Sequence, residues 1–158
     1  MSDIFILRAN SVCVSGHRII ERDLDKRKLT IIFENLIISG IDTFLIGMAI
    51  GFDTLCFQIL EQMRKEKNIK IIACIPCLNQ AEKFSQAQKK EYDRLISVAD
   101  EKVVLSDDYT PYCMQKRNKF MVDNSACVVC YLKKQKGGTF NTVKYAKQKG
   151  VPVINVLE

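Results

Sequence analysis

Three glycine-containing turns follow apolar runs in this sequence, and turns of this kind can hold a phosphate. They lie at residues 15–18 (SGHR), 47–54 (GMAIGFDT) and 137–139 (GGT). Glycine lets backbone N–H groups come close to an anion, and a helix that begins after the turn adds partial positive charge at its N-terminus. One such turn is weak evidence, because any strand-to-helix connection can require a glycine. Three turns at one edge of a sheet predict an anion site.

The spacing of these glycines argues against two common kinds of nucleotide site. The pattern at 47–51 is GxxxG and follows the second predicted strand, whereas a dinucleotide fingerprint is GxGxxG after the first. The turn at 137–139 lacks the Gly-Lys-Ser/Thr of a Walker loop. Ordinary NAD-dependent oxidoreductases and ATPases are therefore disfavoured.

Arg117 shares one helical face with Met114 and Met121, which stand three residues before it and four residues after it. A guanidinium on such an apolar face needs an anion or a route to water. Two interpretations stay open. Arg117 either forms a salt bridge to an internal carboxylate such as Asp53 or extends to solvent, or it clamps a ligand phosphate with paired hydrogen bonds.

His17 is the single histidine of the chain, which excludes a zinc site built from several histidines. It can serve as a base or a hydrogen-bond donor in the first turn. A chance position in that turn explains it equally well.

Seven cysteines stand mainly inside apolar runs, as reduced core thiols do. The CxxC pair at 127–130 lies in a predicted strand, where residues three apart point to opposite faces, so its thiols cannot bind one metal. For the pair at 74–77 we expect neither zinc nor a redox role. The longest apolar stretch, 44–52, is too short to span a membrane, and the N-terminus lacks a secretory pattern. We therefore expect a cytoplasmic protein without metal or membrane partner.

Short runs rich in Val and Ile alternate with segments of helical period, which predicts a parallel sheet covered by helices. The predicted strands are 11–15, 43–48, 70–75, 102–105, 126–132 and 152–156. The predicted helices are one that includes 29–36, then 52–63, 82–99, 112–124 and 139–149. We predict one α/β domain over residues 1–158, a Rossmann-like three-layer sandwich with a mainly parallel sheet of about six strands and helices on both faces. The turns then meet at the carboxyl ends of the strands, where such sheets bind ligands.

The net charge of +6 fits an anionic partner, but solvated helix faces explain most of the scattered lysines and arginines. The basic residues show no interleaved aromatic side chains of the kind that stack on bases. We therefore do not expect nucleic acid as a partner, and single-stranded nucleic-acid binding is kept only as an alternative function.

Six segments together resemble the SLOG superfamily, a Rossmann-like group that includes the YpsA-like proteins, the lysine-decarboxylase-like phosphoribohydrolases and the DNA-processing protein DprA. The segments are SGHR (15–18), GMAIGFDT (47–54), IPC with Gln80 (75–80), Tyr92 with Asp100, YTPYCMQKRNKFMVDNSA (109–126) and GGTFNTVKYA (137–146). The likeness to the YpsA-like branch covers nearly the full chain.

The resemblance implies a nucleotide-like ligand at the edge that carries the turns. In the phosphoribohydrolases an arginine works with a glutamate. The arginine is matched here by Arg117, but Thr142 occupies the position of the glutamate. Gln58 occupies another position that is often acidic in the family. Cleavage of an N-glycosidic bond needs a carboxylate, because a threonine hydroxyl carries no charge to stabilise the developing cation. We therefore expect binding without turnover, although Asp53 could act as a displaced acid.

The leading interpretation is a protein that senses or sequesters a nucleotide or nucleotide-derived signal, such as an ADP-ribose derivative or a cyclic nucleotide. We expect it to need no cofactor and to form a homo-oligomer. The main alternative is a nucleotide phosphoribohydrolase or related N-glycosidase. The residues predicted to contact the ligand are Ser15, Gly16, His17, Arg18, Gly47, Met48, Ala49, Gly51, Phe52, Asp53, Pro76, Arg117, Asn118, Gly137, Gly138, Thr139 and Asn141.

Overall fold

A computed structural model describes residues 4–158 and contains one six-stranded sheet. The strands in chain order are β1 (Ser11–Gly16), β2 (Thr43–Ile46), β3 (Lys70–Ile75), β4 (Glu101–Val104), β5 (Cys127–Tyr131) and β6 (Val153–Asn155). Their order across the sheet is β4-β3-β2-β1-β5-β6. Every neighbouring pair is parallel, so the predicted parallel sheet is confirmed.

Five α-helices connect the strands, and a short 3-10 turn, Arg8–Asn10, precedes β1. The helices are α1 (Lys26–Ile38), α2 (Phe52–Met63), α3 (Gln86–Val98), α4 (Cys113–Asp123) and α5 (Gly138–Gln148). Helices α1 to α3 pack on one face of the sheet, and α4 and α5 pack on the other. The predicted Rossmann-like α/β architecture is therefore confirmed. No helix within residues 4–158 is long and apolar enough to cross a membrane.

Helix α3 begins four residues later than the pattern predicts, because a capping box fixes its start. The Ser85 hydroxyl accepts a hydrogen bond from the backbone N–H of Gln88, and the Gln88 side chain accepts one from the N–H of Ser85. Residues 78–84 form turns before that cap.

Neighbouring residues of one strand belong to different cores, as the period of two requires. Val12 and Val14 of β1 pack on the side of α1 to α3, whereas Cys13 packs on the side of α4 and α5. In β5, Cys127 and Cys130 divide in the same way. The prediction that these two thiols lie on opposite faces is confirmed.

The sheet changes direction between β1 and β5. After β1 the chain passes through α1 to β2, whereas after β5 it passes through α5, on the opposite face, to β6. The connections that follow β1 and β5 therefore leave toward opposite faces of the sheet, which forms a crevice at the carboxyl ends of the two strands. In open α/β sheets a crevice of this kind is where ligands bind.

Candidate functional site

A cavity of about 610 Å³ occupies this crevice. Residues from all three glycine turns and from α4 line it, as the placement of the turns at one sheet edge requires. The predicted ligand residues in its lining are Ser15, Gly16, His17, Arg18, Ala49, Asp53, Arg117, Asn118, Gly138 and Thr139. The geometry brings these residues together, while their contact with a ligand stays a prediction.

The other predicted residues do not line this central cavity. Met48 and Gly51 line a neighbouring, largely apolar cavity against α2 and α3, and Asn141 lines a cleft between α4 and α5. Gly137 stands at the start of α5, and Pro76 is buried after β3. Contact between these residues and a ligand in the central cavity would require a ligand that extends into the adjoining spaces.

Gly16 and Gly51 make room for the protein's own packing. A Cβ on Gly16 would stand 2.4 Å from the ring of Phe52, which is completely buried. A Cβ on Gly51 would stand 2.2 Å from the carbonyl oxygen of Arg18, and Gly51 has a φ of +81°. Heavy atoms do not approach so closely, so internal packing requires both glycines.

Gly47 stands between two buried charged side chains, Asp53 and Arg117. A Cβ there would lie 2.6 Å from Nη1 of Arg117 and 3.0 Å from Oδ2 of Asp53. Nη1 of Arg117 donates to the carbonyl oxygens of Gly47 and Cys74, and Nε donates to Oδ1 of Asn118 at 2.7 Å. Backbone carbonyls therefore hold the guanidinium. No carboxylate of residues 4–158 forms an ion pair with it.

Asp53 and Arg117 influence each other's protonation in the cavity wall. Burial raises the pKa of Asp53 to about 6, although nearby Arg117 and a 3.1 Å hydrogen bond from the N–H of Ala49 to Oδ2 oppose the increase. Burial lowers the pKa of Arg117, and the Asp53 carboxylate opposes that decrease. The wall therefore holds a buried guanidinium and a buried carboxyl group close to each other, and the two groups partly compensate each other's charge.

His17 joins the turn after β1 to the turn after β5. Its Nε2 accepts a 2.9 Å hydrogen bond from the backbone N–H of Lys133, and its ring packs edge-on against Tyr131. Burial, followed by the charges of Lys134 and Lys133, lowers the pKa of His17. The neutral imidazole with Nε2 as acceptor suits this arrangement, so His17 positions the two turns.

A hydrogen bond and two ion pairs also connect the turn after β1 to the end of β5 and the turn after it. The Tyr131 hydroxyl donates to Oδ1 of Asp23 at 2.7 Å. Nζ of Lys133 lies 2.5 Å from Oε1 of Glu21 and 3.0 Å from Oδ2 of Asp23. Lys133 is therefore neutralised, whereas Lys134 lines the cavity without an ion pair among the described residues. Sequence reasoning missed Lys134, although its place three residues after the end of β5 was a usable signal.

The turn before α5 is open. Apart from the adjoining backbone, no atom of the described residues lies within 4 Å of the place that a Cβ would take on Gly137, which has a φ of +97°, or on Gly138. No side chain of residues 4–158 caps α5. Uncapped N–H groups at a helix N-terminus bind anions, and Lys134 beside them adds a full positive charge.

The central cavity continues toward the loop after β3 as a groove of about 550 Å³. Arg18 and Arg117 line both spaces, and Phe84 and Tyr109 add aromatic surface to the groove. Tyr109 is 61% exposed. Buried Gln80 donates a 3.0 Å hydrogen bond to the carbonyl group that also binds Arg117. Aromatic rings and arginines therefore line the same groove. These residues are far apart in the sequence, so the sequence alone does not show that they come together.

Thr142 lies outside the central cavity. Its hydroxyl donates to the carbonyl oxygen of Gly138 at 2.9 Å, and its side chain lines the cleft between α4 and α5. Among the described residues, Glu21 and Asp53 are the acids that line the central cavity. An acid that acts on a ligand there would have to be one of these two.

The thiol beside Cys77 is that of Cys113, with 3.9 Å between the sulfur atoms of these two buried residues. Cys74 packs in the core under α4 and α5. Within residues 4–158, no group of three or more His, Cys, Asp or Glu side chains could hold a metal ion.

The positive charge of the chain is concentrated in one segment. Residues 109–151, which include α4, β5 and α5, contain nine of the 24 lysines and arginines but one of the 18 acids, a net charge of +8. The rest of the chain has 15 basic and 17 acidic residues, a net charge of −2. The face formed by α4 and α5 is therefore the basic side. The interpretation of the basic residues as scattered missed this concentration of charge, because it did not consider where the acidic residues lie.

Comparison with known proteins places this architecture in a family. The YpsA family model, described as the YspA SLOG family, matches residues 13–152. The chain belongs to this SLOG family. The SPbeta prophage-derived protein YoqJ of Bacillus subtilis (strain 168) is 33% identical over 139 residues, which cover 78% of this chain and 80% of YoqJ. The predicted SLOG membership is therefore confirmed.

Solved structures of DNA processing protein A share the fold. The Streptococcus pneumoniae protein matches 90% of this chain with a TM-score of 0.67 and 20% identity, and the Helicobacter pylori protein matches 94% with 0.66 and 16%. The chain spans 48% and 64% of these two proteins. The H. pylori structure was described for its single-stranded DNA binding mode. The expectation that nucleic acid is not a partner class is therefore wrong.

Proposed function

We propose that this SLOG-family protein binds single-stranded DNA across the carboxyl edge of its sheet, with one nucleotide unit in the central cavity. The observation that carries this proposal is the coincidence of the cavity with the basic side of the molecule. Residues 109–151 have a net charge of +8 and supply part of the cavity wall from α4 and α5. Phosphate neutralisation dominates the affinity of proteins for nucleic acid.

The phosphate of this nucleotide binds at the open turn before α5. The uncapped N-terminus of α5 and Lys134 meet there, and Arg18 lines the same cavity. No ion pair within the described chain neutralises Lys134 or Arg18. Both cations can therefore exchange counterions for phosphate oxygens.

Exposed apolar side chains at the same edge suit unpaired bases. Tyr109 and Tyr112 are 61% and 73% exposed before α4, and Ile19 and Leu78 are exposed in the turns after β1 and β3. Single-stranded nucleic-acid sites combine a cationic path with rings on which bases stack. A duplex hides its bases from such contacts, so these side chains favour a single strand.

A free nucleotide is the second candidate, and the enclosed Asp53 and Arg117 favour it. A volume of about 610 Å³ lies within the usual range for small-molecule sites. A ribose hydroxyl could donate to Asp53 while the phosphate occupies the open turn. In this candidate the protein senses or sequesters a nucleotide or nucleotide-derived signal, such as an ADP-ribose derivative or a cyclic nucleotide, and we expect no release of the base.

Fluorescence anisotropy with a labelled strand of about 12 nucleotides tests the proposal between about 50 and 200 mM salt. We expect the single strand to bind more tightly than the matching duplex, with a log–log salt slope of about −0.7 for each phosphate contacted. An RNA strand of the same sequence shows whether the ribose hydroxyl matters. The double variant Arg18→Ala/Lys134→Ala should weaken binding and flatten the slope.

The matched control is Lys89→Ala/Lys90→Ala, which removes the same charge from exposed positions on α3. Equal effects of the two double variants would assign the attraction to net charge and contradict a site at the edge. Failure of every strand to bind at low salt would overturn the proposal. A rise in Tm with mononucleotides, in the absence of strand binding, would support the second candidate instead.

A further inference from the structure

We propose that a bound single strand leaves the central cavity through the cleft between α4 and α5, where Lys119 and Lys144 contact its following phosphates. This inference rests on the proposed binding of single-stranded DNA. It adds the direction of the strand and the residues that hold it outside the cavity.

The cleft is continuous with the central cavity. It has a volume of about 470 Å³, and Met114, Asn118 and Gly138 line both spaces. Gly138 has no side chain, and no atom lies within 4 Å of the place where a Cβ would stand. A chain of phosphates can therefore pass over the start of α5 from one space into the other.

The lining of the cleft has the chemistry that a sugar-phosphate chain requires. Two lysines and four side-chain amides line it, and none of its described lining residues is acidic. The lysines are Lys119 and Lys144, and the amides belong to Gln115, Asn118, Asn141 and Gln148. Lysine supplies charge to phosphate oxygens, and amides bond to phosphate or sugar oxygens without a sequence preference.

Both lysines are exposed and free to bind an anion. Lys119 lies over the ring of Tyr145, with 5.5 Å from Nζ to the ring centre, and neither Lys119 nor Lys144 forms an ion pair within residues 4–158. The one acid of the basic segment, Asp123, accepts a 2.7 Å hydrogen bond from the Tyr145 hydroxyl. The cleft therefore keeps its positive charge for a ligand.

The opposite exit suits bases better than phosphates. The groove toward β3 is lined by the aromatic rings of Phe84 and Tyr109, and its charged lining residues are Arg18, Lys83, Arg117 and Glu82. Carboxylates repel a phosphate chain, whereas aromatic rings accept stacked bases. The cleft between α4 and α5, which has no acidic residue in its described lining, therefore suits the phosphate backbone better than the groove that includes Glu82.

The test compares Lys119→Ala/Lys144→Ala with the Lys89→Ala/Lys90→Ala control in salt titrations of the same labelled strand. If each lysine contacts one phosphate, the salt slope of the cleft variant becomes shallower by about 1.4, at about 0.7 for each contact. Wild type should gain affinity as the strand grows from two to about eight nucleotides, and the cleft variant should lose that gain. Melting temperatures should show that both variants fold.

The outcomes separate this inference from the function on which it rests. If wild type binds the strand but the cleft variant keeps both slope and length dependence, the path between α4 and α5 is refuted and binding at the edge stands. If wild type binds no strand at all, the proposed function fails first. A cleft variant that weakens only long strands, with short strands bound as by wild type, supports the inference.

Discussion

Glycine has opposite structural roles in two regions of this edge. In the packed turns, residues 15–18 and 47–53, the glycines lie tightly against other atoms. A Cβ on Gly51, for example, would stand 2.2 Å from the carbonyl oxygen of Arg18. The open turn, residues 133–138, leaves its glycines without a neighbour within 4 Å of a hypothetical Cβ. Both regions match the same sequence pattern of glycine before a helix. One pattern thus corresponds to two different physical requirements.

The difference indicates that the packed turns and the open turn have separate roles at this edge of the sheet. In the packed turns, glycine lets the chain close around Asp53 and Arg117 and fixes the positions of their charges. In the open turn, glycine leaves backbone N–H groups and space for a ligand. Substitutions in the packed turns should therefore change stability first, and substitutions in the open turn should change binding first.

The largest effect is expected for Gly51→Ala. The new Cβ would meet the Arg18 carbonyl oxygen at 2.2 Å, and the φ of +81° disfavours any residue with a Cβ. We expect a loss of about 2 to 4 kcal/mol in the free energy of unfolding, from overpacking and the unfavourable φ together. Urea unfolding followed by circular dichroism measures it.

Gly40→Ala is the matched control, because Gly40 has a φ of +113° but no atom within 4 Å of the place for a Cβ. It isolates the conformational cost, about 1 kcal/mol. If Gly51→Ala destabilises the protein no more than Gly40→Ala, the contact with the Arg18 carbonyl oxygen does not limit stability. The turn around Gly51 is then not tightly packed.

An effect of the opposite sign, visible in the pH dependence, is expected for Asp53→Asn. Burial raises the pKa of Asp53 from 3.8 in the unfolded chain to about 6 in the folded protein. The folded state then binds more protons between these values, so this contribution to stability is fully present below pH 3.8 and is lost as the pH rises through about 6. The shift corresponds to about 3 kcal/mol at neutral pH. Asp53→Asn should remove this loss and be the more stable protein at pH 7.

The measurement is the free energy of unfolding of both proteins from pH 4 to 7, with Asp93→Asn as control for an exposed carboxylate on α3. Other acids of the protein cancel in the difference between wild type and variant. A difference that stays flat with pH would show that Asp53 is not buried as the packed turn requires.

Periodicity predicted the sheet and helices well, because burial imposes a period of two on strands and about 3.6 on helices. The predicted strand 70–75 agrees with β3 at both ends, and the predicted helix 52–63 agrees with α2. The predicted start of α3 was early, because the Ser85 and Gln88 capping box outweighs the helical pattern before it. Local hydrogen bonds therefore determine where this helix begins, which the hydrophobic period alone does not define.

The site was less predictable than the fold, because its chemistry depends on contacts between distant segments. The sequence places Arg117 on an apolar helical face, but only the fold shows that carbonyl groups of Gly47 and Cys74 hold it. Tyr109 likewise stands beside the groove through the approach of the β4–α4 loop. The basic segment was readable from the sequence, since counting acids together with lysines reveals it.

The smallest effect on stability, and the sharpest test of the comparison, is expected for Gly138→Ala. Gly138 is the first residue of α5 and has room for a Cβ, so alanine should raise the free energy of unfolding by up to about 1 kcal/mol, mainly by restricting the unfolded chain. The same methyl group would occupy the open turn and weaken binding of the labelled strand, because the phosphate could no longer approach the α5 amides closely. Paired urea unfolding and anisotropy measurements should thus move in opposite directions. An alanine that stabilises the fold and leaves strand affinity unchanged would mean that the open turn is not where the phosphate binds.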